Sequence, residues 1–258
     1  MHISAALLAL GLAPPLTGMD DSAAIFKTVP PVLSQGEETN NLFVAPPVPD
    51  DLGQPSRRSD AGSRDCVSGA TDTVTELTAL VPLYQTPTSA MVYSLTTAER
   101  PTLWLYVPFA VPLAGRLALQ DAADNLLYEG HFTTLDEPGI VGLSLPALAA
   151  PWAVGDRYQW FVVLGCTADS ISYGVNGWVE RTAIAPADQA AIAALPPAAQ
   201  VDAYGAQGLW HEALTTAATL PSNTQWTALL QGIGLAVIAP TPRLDCCALQ
   251  PVPSEPAP

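Results

Sequence analysis

Two short runs of alternating aromatic and aliphatic residues constrain the fold of this chain more than any other feature. The first is residues 101–108, Pro-Thr-Leu-Trp-Leu-Tyr-Val-Pro, and the second is residues 158–164, which end two positions before Cys166. Runs of this kind between turn residues are typical of strands that are covered on one or both faces. The chain is therefore predicted to be rich in β structure, with Cys166 at the end of a core strand.

The region between Cys66 and Thr182 contains about eight strand candidates, separated by turn signals every 8–15 residues or so. The segment 121–125 is a polar turn between two alternating runs, which predicts a hairpin. Short strands at this spacing favour a sandwich or a barrel over βαβ units. Residues 66–182 are predicted to form an antiparallel β-sandwich, Ig-like or jelly-roll-like, with strands at 75–81, 91–96, 102–107, 116–120, 126–133, 140–145, 158–164 and 171–181.

After Pro186 the pattern changes to alanine-rich runs, which predict helices at 187–194, 198–207, 209–220 and 224–237. Asn223 is a candidate N-cap for the last helix. That helix places Trp226, Leu229, Leu230 and Ile233 on a single apolar face. Since such a face needs a partner, residues 183–239 are predicted to form a helical cap that packs on the sandwich.

The two ends of the chain differ from this central part. Residues 3–12 form an apolar run of about ten residues, which suits a signal peptide in 1–20 and is too short to cross a bilayer. The segment before it lacks Lys and Arg, so a simple apolar tail is the alternative. Residues 21–65 are rich in Pro, Ser, Asn and Asp and predict a disordered linker, and the Pro-rich residues 240–258 predict a disordered tail.

The charge balance limits the partners. The chain has 9 basic and 24 acidic residues, a net charge of −15, while 49% of its residues are hydrophobic, so burial is not limiting. A strongly negative protein repels phosphate groups, which argues against nucleic acid and anionic membrane as partners. No integral membrane span is predicted.

Four cysteines allow three pairings. Cys66 and Cys166 flank predicted strands, which favours a disulfide across the sandwich if the protein is exported. A buried free thiol at Cys166 is the alternative. Cys246 and Cys247 are adjacent, and either redox-labile thiols or pairing elsewhere remains open for them.

No residue pattern indicates catalysis, a metal site or a cofactor. His131 is predicted on the strand face opposite Tyr128, and Ser144 lacks the glycines of a nucleophile elbow. His211 and Glu212 lack the second histidine of a zinc-protease motif, because Thr occupies position 215. The prediction is therefore a protein without catalytic residues, metal ligands or a bound cofactor.

Aromatic surface is the remaining candidate for binding. Trp104 and Tyr106 share one face of their predicted strand, and Tyr158 and Trp160 share one face of theirs. If these four aromatic side chains faced outward from the same sheet, they would form a platform for a sugar ring or a peptide. The favoured alternative is that the C-terminal helices cover them.

Together these segments resemble a cyanobacterial domain-of-unknown-function family, number 928, over residues 66–235. The resemblance lies in the order and spacing of Cys66, 77–82, 101–108, 117–121, 138–146, 154–160, Cys166, 177–181 and 208–214. It implies a secreted or periplasmic protein and carries no known activity or catalytic residue.

The sequence thus predicts an extracytoplasmic, non-enzymatic module that binds a protein partner or acts as an envelope scaffold. The first alternative is a carbohydrate-binding module that binds a polysaccharide through Trp104, Tyr106, Tyr158 and Trp160. The second alternative is a hydrolase with an unrecognised site.

Overall fold

The computed structural model describes residues 42–53, 56–60, 76–85, 89–147 and 149–251. These ranges hold twelve strands in two sheets and four helices near the C-terminus. The strands are β1 Ser59–Asp60, β2 Leu77–Ala79, β3 Leu83–Gln85, β4 Ala90–Thr96, β5 Thr102–Val107, β6 Ala114–Asp121, β7 Leu126–Thr133, β8 Gly139–Ser144, β9 Arg157–Gly165, β10 Tyr173–Arg181, β11 Arg243–Leu244 and β12 Gln250–Pro251.

The two sheets stack in a sandwich-like arrangement. One has five strands in the order β1-β2-β5-β8-β11, and the other has seven in the order β12-β7-β6-β9-β10-β4-β3. The mainly β fold with C-terminal helices confirms the predicted class, but both sheets are mixed. β4 pairs parallel with β10, and β8 pairs parallel with β11. These partners are far apart in the chain, which leaves room for the long crossovers that parallel pairing needs.

The alternating pattern of the strands builds the core between the sheets. In β5, Leu103 and Leu105 are at most 2% exposed, and in β9, Trp160 and Val162 are at most 1% exposed. All four belong to one continuous apolar cluster. Because strand side chains alternate between faces, Trp104 and Tyr106 lie on the opposite face of β5, away from the seven-stranded sheet.

The helices cover that second face of β5. They are α1 Pro186–Ala193, α2 Pro197–Ala206, α3 Trp210–Ala218 and α4 Thr224–Gly232. The indole Nε1 of Trp104 donates to Thr215 Oγ1 at 3.1 Å, and that of Trp210 donates to the carbonyl of Leu80 at 2.8 Å. Asn223 stands at the N-cap of α4 as predicted, but its side chain makes no capping hydrogen bond. It accepts instead from Arg243 at 3.0 Å.

The predicted linker does not hold for the part of 21–65 that the structure describes. Phe43 is 4% exposed and contacts the Trp210 ring edge-on at 4.9 Å between centroids. The Val44 amide donates to the carbonyl of Gly205 at 2.9 Å. The few apolar residues among the prolines are enough to anchor this segment, which composition alone did not reveal. The predicted signal peptide, residues 1–20, and residues 21–41, 54–55 and 61–65 of the predicted linker lie outside the described residues.

The same N-terminal segment covers part of the outer face of the seven-stranded sheet. A second apolar cluster there consists of Tyr84, Met91, Tyr93 and Trp178, with Val48 and Leu52 packed against it. Residues 45–52 therefore contribute to the fold as a cover over β3, β4 and β10.

The predicted disordered tail is also ordered up to residue 251. β11 extends the five-stranded sheet beside β8, and β12 extends the seven-stranded sheet beside β7. Cys247 and Leu249, between them, are at most 9% exposed. We call residues 243–251 the C-terminal strap, because they join the edges of both sheets; residues 252–258 lie outside the described part.

Candidate functional site

The four aromatic residues predicted to bind a ligand do not form a common exposed face. Trp104 and Tyr106 lie on β5 in one sheet, and Tyr158 and Trp160 lie on β9 in the other. Tyr106, Tyr158 and Trp160 are 7%, 5% and 1% exposed, and α3 and α4 cover Trp104. The cover by the helices that the sequence favoured is therefore confirmed for Trp104, while the β9 pair is buried without them.

Tyr158 does line a cavity of about 310 Å³ beside the β6–β7 hairpin, together with Asp121, Tyr128, Trp152 and Asp156. The Tyr158 ring stacks on Trp152 at 4.4 Å, and its hydroxyl accepts from the Ala153 amide at 2.7 Å. Burial raises the pKa of the Tyr158 hydroxyl. Both rings are thus held by the fold, with little ring surface open to a ligand.

A second cavity, of about 240 Å³, lies where the helices meet the sandwich, and we call it the junction pocket. Its lining includes His211 and Glu212 at the start of α3. These are the two residues whose sequence lacks the second histidine of a zinc-protease motif. Arg100, Tyr204 and Thr215 also line it. The junction pocket thus brings together several hydrogen-bonding side chains from the helices and from the sandwich.

His211 connects α3 to both sheets. Its Nε2 lies 2.9 Å from Ser94 Oγ on β4, and its Nδ1 lies 3.1 Å from the carbonyl oxygen of Thr102 on β5. Since a carbonyl can only accept, the hydrogen-bond network assigns the proton to Nδ1, and Nε2 accepts from the Ser94 hydroxyl. Burial lowers the pKa of His211, against the opposing effect of the Glu212 charge. The imidazole is therefore neutral at pH 7.

The Ser94–His211 distance is that of a nucleophile and its base. Ser94 is 0% exposed and His211 is 3% exposed, so the hydroxyl has no open side toward a substrate. The partner of Nδ1 is a backbone carbonyl, where a catalytic triad has a carboxylate. This pair links α3 to both sheets.

Glu212 fixes the turn that follows β4. Its Oε1 accepts from Thr96 Oγ1 at 2.8 Å, from the Thr97 amide at 2.7 Å and hydroxyl at 3.0 Å, and from the Ala98 amide at 3.0 Å. Its Oε2 is buried without a partner. Glu212 and Thr97 are 115 residues apart in the chain, so no local sequence pattern could have paired them.

Part of the outer face of the seven-stranded sheet lies outside both apolar clusters of the described residues, and we call it the open sheet face. Phe161 and Val163 of β9 lie at its centre, opposite Ala118 and Arg116 of β6. His131 and Glu129 of β7 border it, with His131 Nε2 3.5 Å from Glu129 Oε1. All six side chains are half-buried. His131 thus lies on the predicted face, beside a carboxylate.

The three cysteines in the described part of the chain are oxidised. Cys166 is disulfide-bonded, and its predicted partner Cys66 lies outside the described residues, so that pairing stays a prediction. Cys246 and Cys247 are bonded to each other. In the described ranges there is no group of three His, Cys, Asp or Glu side chains that could hold a metal ion. None of the described helices has the length and hydropathy needed to cross a bilayer.

These features define a mixed β-sandwich with a C-terminal helical cap, a junction pocket of buried polar residues and an open sheet face. Residues 59–243 match the family described as Domain of Unknown Function (DUF928), and the chain belongs to this family. The resemblance found in the sequence is thereby confirmed, and the family's description names no activity. No curated protein and no solved structure matches the chain.

Proposed function

We propose that this protein is a non-enzymatic extracytoplasmic module that binds a protein partner through the open sheet face. The observation that supports this most directly is the contrast between the two parts of one sheet surface. Residues 45–52 cover Trp178 and Tyr93, while Phe161 and Val163 on the same face are only half-buried and belong to neither apolar cluster.

The composition of the open sheet face suits a protein partner. Protein interfaces combine an apolar centre with a polar rim. Here Phe161 and Val163 are the centre, and Arg116, Glu129 and His131 supply charge and hydrogen-bonding groups at the rim. The flat surface of antiparallel strands offers area for an extended partner and no deep cleft for a small substrate.

The buried polar residues support a non-enzymatic role. His211 and the Oε1 atom of Glu212 use their hydrogen bonds within the fold, to β4, β5 and the turn after β4. Side chains committed in this way stabilise the junction of the helices and the sandwich. A reaction at Ser94 would require that junction to open first.

Export is supported by the disulfides and by the apolar run at residues 3–12. Disulfides persist in oxidising compartments and are rare in the cytosol. The disulfide bonds of Cys166 and of Cys246–Cys247 therefore fit an extracytoplasmic location. Alkaline phosphatase fused after the last residue of the full chain should be active in the host, since this enzyme acquires its own disulfides only after export. An inactive fusion would contradict the location.

Partner binding is tested with the purified full chain as bait in an envelope extract. Captured proteins are identified, and the affinity of the purified partner is measured by calorimetry for the parent and for Phe161→Ser. We expect the variant to bind at least about tenfold more weakly, the effect of losing a central apolar contact. Leu195→Ser, at a 38% exposed residue in the helical region, is the matched control and should keep the affinity.

Two results would overturn the proposal. Equal affinity of Phe161→Ser and the parent would remove the open sheet face as the binding site. Retention of the chain on envelope polysaccharide, with no captured protein, would favour the carbohydrate-binding alternative.

A further inference from the structure

The C-terminal strap joins the edges of the two sheets across one side of the sandwich. At one end, Arg243 and Leu244 pair with Ile140 and Val141 of β8. At the other end, Gln250 and Pro251 pair with His131 and Gly130 of β7. The strap therefore occupies two sheet edges that would otherwise present unpaired backbone groups.

The disulfide between Cys246 and Cys247 lies between these two ends. Cys246 is half-buried, Cys247 is 9% exposed, and both pack against the main apolar cluster. Cys247 has φ of 70°, in the left-handed region that residues other than glycine rarely occupy. The strap thus changes direction at a residue whose backbone conformation is unfavourable on its own.

A bond between neighbouring residues cannot stabilise the fold as ordinary disulfides do. The usual gain comes from closing a long loop in the unfolded chain, and it shrinks with the length of that loop. Here the sequence separation is 1, so the bond restricts only the local backbone. Its effect on the folded protein is to hold the Cys246–Cys247 peptide, and with it the direction of the strap.

We propose that Cys246–Cys247 is a thiol–disulfide exchange site, and that its reduction releases the β12 end of the strap from β7. The reductant is a dithiol. One thiolate attacks Sγ of Cys246, the more exposed of the two residues, which forms a mixed disulfide and expels Cys247 as a thiolate. The second thiol of the reductant then attacks the mixed disulfide and expels Cys246. The reductant leaves as its own disulfide, and each cysteine sulfur takes up a proton.

The two ends of the strap differ in their anchors, which determines where it opens. At β11, the Arg243 guanidinium lies 4.9 Å from the centre of the Trp226 ring and donates to Asn223 Oδ1 at 3.0 Å. At β12, Gln250 and Pro251 are both exposed and pair over only two residues. Once Cys247 can leave the left-handed conformation, the β12 end separates and the β11 end stays. The edge of β7 at Gly130 and His131 then becomes available for strand pairing.

The test is hydrogen exchange by mass spectrometry on the full chain, with Cys66→Ser and Cys166→Ser introduced so that Cys246–Cys247 is the only cysteine pair. Dithiothreitol is the reductant, and alkylation verifies reduction. On reduction, we expect exchange in peptides covering 128–133 and 247–251 to accelerate by at least about tenfold, the response of a locally opened segment. Peptides covering 140–144 should keep their rates.

A second variant makes the result independent of how that background folds. Cys246→Ser with Cys247→Ser, in a chain that keeps Cys66 and Cys166, should show the fast exchange of the reduced state without any reductant. The proposal is overturned if the Cys66→Ser, Cys166→Ser chain exchanges equally at 128–133 before and after reduction, and the Cys246→Ser, Cys247→Ser chain exchanges there no faster than the oxidised parent. It is also overturned if reduction accelerates exchange across both sheets, because the strap would then be a general structural element.

Discussion

The indole ring of Trp226 packs edge-on against that of Trp104, with ring centroids 5.7 Å apart and planes at 76°. Trp226 belongs to α4 and Trp104 to β5, so this pair joins the helical cap to the outer face of the five-stranded sheet. Trp226 is 0% exposed and its Nε1 donates to the carbonyl of Ala239 at 3.2 Å. Edge-to-face contact of this kind adds to the stabilisation from burial.

Trp226→Ala should lower the free energy of unfolding by about 3–5 kcal/mol, the usual cost of truncating a buried aromatic residue. The measurement is urea denaturation followed by circular dichroism. Val237→Ala, at a residue 63% exposed just after α4, is the control and should change stability by less than about 0.5 kcal/mol. A similar small change for Trp226→Ala would show that the cap is not held at this contact.

Phe43→Ala should destabilise the protein by about 3–5 kcal/mol, because Phe43 fills a buried position against Trp210. The neighbouring residue provides a close control: Val44 is 57% exposed, and Val44→Ala should be neutral to within about 0.5 kcal/mol. Thermal and urea denaturation of both variants check this. Equal stability of the two variants would mean that the N-terminal segment contributes nothing to the fold.

Glu212→Ala should cost at least about 2 kcal/mol, since it leaves the amides of Thr97 and Ala98 without their acceptor. Glu212→Gln keeps one carbonyl oxygen at the same place and should lose less. The control is Glu137→Ala, an exposed carboxylate in a turn, expected to be near neutral. If Glu212→Ala and Glu212→Gln had the same free energy of unfolding, the loss of stability would not come from the hydrogen bonds to Oε1.

His211 should make stability depend on pH below about 6.5, the ordinary pKa of histidine. Burial lowers the pKa of His211 in the folded state, so the unfolded chain binds the proton more readily. The contribution of neutral His211 to the free energy of unfolding is therefore complete above about pH 6.5 and is lost as the pH falls below that value.

The measurement for His211 is the free energy of unfolding between pH 7.5 and pH 5 for the parent and for His211→Gln. The variant lacks the titrating group and should show a shallower decline. Ser94→Ala removes the hydroxyl but leaves the histidine buried, so its decline should remain steep. If the free energy of unfolding fell equally with pH in the parent and in His211→Gln, His211 would not be the cause of the decline.

Gly205→Ala should destabilise the protein, although alanine is the better helix former by about 1 kcal/mol. Gly205 lies in α2, where an added Cβ would overlap the carbonyl oxygen of Leu42 in the N-terminal segment. The backbone of Leu42 would have to move, which also disturbs the Val44–Gly205 hydrogen bond. Ala206→Gly, at the next and exposed helical position, measures helix propensity alone. A gain in stability for Gly205→Ala would show that the segment adjusts freely.

The local patterns of the sequence predicted the elements well. Alternation at 102–107 and 158–164 marked β5 and β9, because a half-covered strand must place apolar side chains at every second residue. A helix places residues three and four positions apart on one face. The apolar stripe of α4 therefore marked its buried face, formed by Trp226, Leu229 and Leu230. The resemblance to the family was carried by segments that include these strands, and the family match covers residues 59–243.

The sequence was less informative where stability comes from distant partners. Residues 42–53, 56–60 and 243–251 have the composition of a linker and a tail, yet they are ordered because neighbouring strands and helices offer backbone groups and apolar contacts to them. A pattern of side chains does not show which backbone edges elsewhere in the chain are unpaired.

The sequence by itself therefore determined the class of fold, eight of the twelve described strands, the four helices and many residues of the core, all of which depend on periodicity along one segment. Only the tertiary structure decided that Trp104 and Tyr158 belong to different sheets, that Glu212 holds the turn at Thr97, and that Cys246 pairs with Cys247 inside a strap between two sheets. Each of these relationships depends on which segments meet in space, and that is fixed by the packing of the whole chain.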